Sequence, residues 1–256
     1  MTVRIEKRPG AEREDRAPEK IQSTSSGAIG TVTGVVKDAA GGAIRAVKPR
    51  LRGWIHAFTA PLALAACIVL TVLAPGPALT WACAAYLACS LFLFANSGVY
   101  HISYGHWPRR VTAVLRRVDH ANIYLLIAGT YTPLSVALLD RGMTLLVLGI
   151  VWGGALAGII TSLAWRSAPR WLTTLFYILL GWVAIWFLPQ FWMTGGPAIV
   201  WLLVSGGVVY TVGGVVYARR WPDPDPRWFG FHEIFHTCTV AAWACQCTAC
   251  YLAVLG

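Results

Sequence analysis

The segment Phe231-His-Glu-Ile-Phe-His236 places two imidazoles four residues apart at the start of a long apolar run. On a helix, residues i and i+4 share one face, so His232 and His236 can reach a common point. A shared metal ion is the usual reason for such a pair, and ionisable groups at the edge of hydrocarbon read as functional by default. Two further stretches carry the same chemistry. Ser97 lies one turn from His101 at the end of an apolar run, and Asp119-His120 opens the next one. The string His232-Glu-Ile-Phe-His236 also matches the HExxH of zinc metalloproteases, in which the Glu is the general base. Glu233, however, points about 100° away from His232 on a helical wheel. A partner behind the ligands, a snorkelling interfacial group and the base are its three alternatives.

Composition says what must position these residues. Hydrophobic residues are 57% of the 256 and charged residues only 12%, whereas a soluble domain carries roughly a quarter charged. Mean hydropathy is +0.59. The chain is therefore expected to be an all-α, polytopic, integral membrane protein whose immediate partners are membrane lipids. Seven apolar segments of about the ~20 residues that span hydrocarbon are expected. They fall at Trp54–Ala74, Leu79–His101, His120–Leu139, Met143–Trp165, Trp171–Phe191, Ala198–Ala218 and Phe231–Leu255. Pro133 predicts a kink in the third. Gly149/Gly153 and Gly154/Gly158 give the fourth a spacing of small residues for close helix contact.

The net charge of +10 is a topology signal first. Eleven of the 21 Lys and Arg residues precede position 53, and all the others but Arg141 lie in 109–117, 166–170 and 219–227. These clusters alternate with nearly uncharged connections, so the positive-inside rule predicts a cytoplasmic N-terminus and an outside C-terminus. No basic stripe is interleaved with aromatics on a polar domain, which argues against nucleic acid as a partner. Residues 1–52 predict a disordered basic cytoplasmic tail, with a secretory signal absent, and residues 53–256 the transmembrane domain. The seven cysteines all fall in apolar runs and read as packing residues, Cys247-x-x-Cys250 included.

That topology brings the ionisable groups to one side. The second segment ends, and the third and seventh begin, at the cytoplasmic leaflet, so Ser97, His101, Asp119, His232 and His236 meet at similar depth. Zinc suits three neutral imidazoles with a position left for water. Asp119 could orient a ligand or take a proton from the activated water, and Ser97 could position that water or a substrate carbonyl. Singly, each residue has a plainer reading: Asp119 as the N-cap of the third helix, Ser97 as a packing serine, His101 as an interfacial group. Among the other histidines, His56 reads as interfacial and His106 as solvated. His120 is open to either a site or a surface role.

Taken in order, Ser97-x-x-x-His101, Asp119-His120 with Gly129-Thr-Tyr-Thr-Pro133, and His232-Glu-Ile-Phe-His236 resemble the hemolysin III family, the bacterial branch related to the progestin and adiponectin receptors. The resemblance covers about Arg52 to Leu255. It implies a seven-helix bundle in a bacterial inner membrane, with zinc held by His101, His232 and His236 and with Ser97 and Asp119 beside the zinc-activated water. Alkaline ceramidases of the wider superfamily imply a zinc-dependent hydrolase of a lipid amide or ester. A non-enzymatic sensor or receptor with a structural zinc is the alternative. The family name implies cytolysis, for which this chain shows no pore segment.

Overall fold

The computed structural model describes residues 49–165 and 169–256. Of the tail expected over residues 1–52, residues 1–48 lie outside the described residues. The rest is helical: α1 Trp54–Leu73, α2 Gly76–Ile102, α3 Arg109–Leu138, α4 Arg141–Ala164, α5 Arg170–Gly181, α6 Leu188–Arg219 and α7 Phe231–Leu255. Six of these are long and apolar enough to cross a membrane. Large apolar side chains point outward, Trp81 and Trp186 at 76% and 79% exposure, which a soluble protein would not leave in water in such number but hydrocarbon accepts. The chain is an all-α polytopic membrane protein.

Helix α3 is the hub. It packs against α2, α4, α5 and α7, and 67% of its most apolar window is buried. Helix α7 lies against α6, α3 and α1, and α2 packs on α1 and α3. The site residues are thus carried on helices that converge on the centre of the bundle.

Three expectations are corrected. Helix α3 begins eleven residues before the expected His120, at Arg109 after Pro108. The basic stretch 109–117 is therefore helix rather than loop, with Arg109, Arg110 and Arg116 left exposed. The fifth apolar run is not one helix. Helix α5 stops at Gly181, a 3-10 turn follows over Trp182–Trp186, and α6 starts at Leu188. Counting rises of 1.5 and 2.0 Å, α5 and its 3-10 extension reach ~28 Å, close to the hydrocarbon thickness. Tyr131 of α3 holds this break: its hydroxyl donates to Gly181 O (2.7 Å) and accepts from Ala184 N (2.6 Å). In α4 only one of the two glycine pairs makes contact. A Cβ on Gly154 or Gly158 would strike Leu180 or Tyr124, whereas Gly149 and Gly153 have nothing within 4 Å.

The helix ends follow local rules. Asp140 caps α4 by accepting from Gly142 N and Met143 N. Helix α6 is bent where Gly196 (φ 79°) precedes Pro197.

Candidate metal centre

Helix α2 ends with Ser97 and His101 on one face, both buried. Helix α7 opens with His232 and His236, and Asp119 sits on α3. Ligand atoms of His101, His232 and His236 all lie within 4.8 Å of one another. His101 Nε2 and His232 Nε2 are 3.2 Å apart. Two nitrogens bound to one tetrahedral metal at ~2.0–2.1 Å would be separated by ~3.3 Å, so this edge already has the ligating spacing. His236 Nδ1 is buried without a hydrogen-bond partner. The three imidazoles form a group that could hold a metal ion.

Asp119 Oδ2 lies 3.6 Å from His101 Nε2, and its side chain is 16% exposed. Because α3 starts at Arg109, Asp119 is nearly three turns inside the helix and is not its N-cap. Ser97 flanks the same carboxylate. The five residues singled out by spacing are therefore brought to one place by three helices.

Glu233 is fully buried and both its oxygens are engaged elsewhere. Gly230 N donates to Oε2 (2.9 Å), so the N3 carboxylate caps the start of α7, and Arg52 Nε donates to Oε1 (3.1 Å). Arg50 N and Leu51 N donate to the carbonyls of Arg227 and Trp228, so the approach to α1 is stitched to the approach to α7. Of the three alternatives left for Glu233, full burial removes the snorkelling one, and both hydrogen bonds go to groups other than the three histidines; the carboxylate sets the entry angle of the helix that carries two of them.

His56 is a correction. It reads as interfacial in sequence, yet it is 3% exposed. Its ring stacks on His236 with centroids 3.8 Å apart and planes 3° apart, and meets the edge of Phe94. Two glycines allow this approach of α1 to α2. Gly53 has φ 89°, where a side chain would be strained, and a Cβ there would lie 2.7 Å from His101 Cβ. A Cβ on Gly98 would lie 3.1 Å from Ala57 Cα. The missed signal was periodic: His56, Thr59, Ala63, Cys67 and Leu70 form the buried stripe of α1, and a helical wheel places His56 on it. His120 hydrogen-bonds Arg116 O (2.7 Å) through Nδ1 and the Tyr217 hydroxyl (3.3 Å) through Nε2, so it borders the site from α3. His106 is exposed, as expected.

His56, His120, His232 and His236, with Ser97 and Asp119, line one end of a cavity of about 140 Å³. Away from them its wall is mostly apolar, running along α3 through Ile123, Ile127 and Leu134 to Leu188 and Phe191 of α6, with Thr130, Thr211 and Gln246 among the polar exceptions. From Asp119 to Leu134 this wall spans ~22 Å. The site is therefore a polar cluster at the head of a long apolar slot.

The sequence profile described as Haemolysin-III related matches residues 44–247. The chain belongs to that family. Among curated members it is 32% identical over 142 residues to the "Hemolysin-3 homolog" of Bacillus subtilis (strain 168), covering 55% of this chain and 65% of that protein. It is 35% identical over 114 residues to "Hemolysin-3" of Bacillus cereus, covering 44% of this chain and 51% of that protein. The chain thus spans less than two thirds of the length of the curated relatives it matches. The family match covers all of the site residues described above.

Proposed function

We propose that this member of the haemolysin-III-related family is a zinc-dependent hydrolase of an amide or ester bond in a membrane lipid, working at the cytoplasmic leaflet. The observation that carries the reading is the junction of the two halves of the cavity. A three-imidazole group with a carboxylate at 3.6 Å stands at the head of an apolar slot about as long as an extended acyl chain. Lipid chemistry asks for that combination: hydrocarbon to hold the chain, and polar groups where the linkage to the headgroup comes to rest.

His101, His232 and His236 would hold the zinc, whose fit rests on the ligating spacing of the first two and the unpartnered buried nitrogen of the third. When bound, zinc supplies a water activated near neutral pH and a Lewis acid for the carbonyl. Asp119 stays within reach of His101 and accepts a proton from water. Ser97 donates a hydrogen bond to the carbonyl oxygen and fixes its orientation. Ile123, Ile127 and Leu134 align the chain and keep bulk water from the site. Orientation in the membrane follows from the arginines: Arg52, Arg116, Arg170 and Arg220 all lie at the histidine end of their helices, which the positive-inside rule assigns to the cytoplasm.

The test is a hydrolysis screen on the full chain in lipid nanodiscs, with N-acyl and O-acyl lipids, before and after chelation, beside His232→Ala. The proposal expects about one zinc per chain and turnover that chelation and His232→Ala both abolish. Absence of bound metal after purification without chelator would refute the site.

One observation favours a second reading, a sensor with a structural zinc. His101 comes from α2 and the other two histidines from α7, helices joined elsewhere by Trp243 Nε1 to Ser90 Oγ (3.1 Å). A metal there would clamp the two together. That reading wins if metal is present, chelation lowers Tm, and no lipid is turned over.

A further inference from the structure

His56 has a chemistry that the fold does not use. A neutral imidazole carries one donor and one acceptor, and neither ring nitrogen of His56 has a partner in hydrogen-bond geometry although both are buried. A backbone group of His236 approaches the ring without meeting that geometry. Buried polar atoms are almost always satisfied, and leaving them unmade is costly. What the fold does use is the shape of the ring: one face on His236, an edge contact to Phe94. A phenylalanine would serve both contacts. The nitrogens therefore need another explanation.

Metal ligation is not that explanation. Lone pairs of imidazole lie in the ring plane, and the planes of His56 and His236 are 3° apart with centroids 3.8 Å apart. Their lone pairs run side by side rather than converging on one ion. Among the described residues, the group with convergent ligand atoms is His101, His232 and His236, without His56. Yet His56 lines the cavity that Ser97, Asp119, His232 and His236 also line, at its polar head and beside the apolar slot.

We propose that His56 is a specificity-determining residue that hydrogen-bonds the uncharged head of the lipid, accepting from an N–H or O–H next to the acyl carbonyl. This rests on the cavity being the lipid site, as in the reading above, but not on turnover. The imidazole can accept through either nitrogen according to tautomer; both nitrogens are shielded as the ring stands, so accepting requires the ring to slide within its stack on His236 until one of them meets the cavity. A head with a hydrogen-bond donor satisfies the acceptor. A head without one leaves it buried and unpaired, and a site built around a hydrogen bond rejects a ligand that lacks it. One such bond is worth about tenfold in affinity.

The experiment uses two probes that differ in one group, N-ethyloleamide and ethyl oleate, binding to the chelated full chain in detergent and read by tryptophan fluorescence. The wild type is expected to bind the amide about tenfold more tightly than the ester. His56→Phe should bind the two equally, and His56→Gln, which keeps a polar acceptor, should recover part of the preference. The metal-free His56→Phe protein should melt no lower than wild type, because the buried unsatisfied nitrogens are gone. Zinc stoichiometry and the visible spectrum of the cobalt-substituted protein should be the same in both. Equal binding of both probes by the wild type, or an amide preference that survives in His56→Phe, overturns the proposal. Loss of metal in His56→Phe overturns it too, by making His56 a support of the metal instead. Should His56→Phe not fold, the partial preference in His56→Gln decides, and full wild-type preference alongside a preference retained in His56→Ala is the overturning result. An amide preference that depends on His56 in a protein that hydrolyses nothing would leave this inference standing and remove the hydrolase reading. Hydrolysis with no dependence on His56 for the choice of head would do the reverse.

Discussion

Replacing Glu233 separates a structural carboxylate from a catalytic one. Its two oxygens serve two donors: Gly230 N, part of the α7 cap, and Arg52 Nε. Glu233→Ala removes both bonds and leaves Arg52 with its partner gone. Breaking a buried pair costs ~3–5 kcal/mol, but the Arg52 side chain is 21% exposed, so water takes up part of the loss and ~2–3 kcal/mol is expected. Glu233→Gln keeps the size and one acceptor oxygen but turns an NH2 group toward either Gly230 N or Arg52, and should cost ~1–3 kcal/mol. At this chain length those losses lower Tm by roughly 4–12 °C for the alanine variant. The assay is thermal unfolding of the purified chain in detergent, run as a double-mutant cycle with Arg52→Met. The second substitution should cost little in the Glu233→Ala background, because the interaction it removes is already gone. Turnover per folded, zinc-loaded molecule should stay within a few-fold of wild type in Glu233→Gln. An unchanged Tm with turnover reduced by a factor of 10² or more would show that Glu233 is the general base of an HExxH site, and the capping argument would be wrong.

Other outcomes follow from the same geometry. His101→Ala should abolish stoichiometric zinc binding as fully as His232→Ala, since each removes one of three imidazoles; retention of a full equivalent of metal by either, measured by atomic absorption, would move the site elsewhere. Asp119→Asn should keep the metal but lower turnover by 10²–10⁴-fold, whereas an equal loss of metal and activity would make Asp119 a ligand. Tyr131→Phe strips the donor to Gly181 O and the acceptor for Ala184 N, and should cost ~1–3 kcal/mol, visible as faster amide exchange over 181–186. Gly98→Leu should push α1 off α2 at Ala57 and lower Tm more than Gly149→Leu, whose side chain would enter open space on the outer face of α4.

Much of this architecture was legible before any coordinates. Hydrocarbon forbids unsatisfied backbone, so apolar runs of spanning length must be helices. The i, i+4 spacing of His232 and His236 put two imidazoles on one face of α7 for the same helical reason, and the order of the segments put His101 and Asp119 at the same end of the bundle.

Four things needed the tertiary structure. The fifth apolar run is divided at Gly181 because Tyr131, fifty residues earlier, satisfies the backbone groups a break exposes; hydropathy cannot register a partner so distant in sequence. Asp119 proved to be interior to α3, since arginine-rich helix and arginine-rich loop have the same composition and only packing tells them apart. Glu233 was ambiguous because its fate depended on Arg52, 181 positions away. His56 was read as interfacial because it stands near the start of α1 beside Trp54 and Arg52. The close contact allowed by Gly53 and Gly98 turns that same face inward and lays the ring on His236. The sequence by itself determined which residues share a helix face and which end of the bundle they occupy, because both depend on spacing and the order of the segments along the chain. The tertiary structure alone decided which of those residues face the histidines, which are spent on capping, and which is left with unpaired nitrogens at the head of an apolar slot, because side-chain contacts across helices depend on how closely backbones approach.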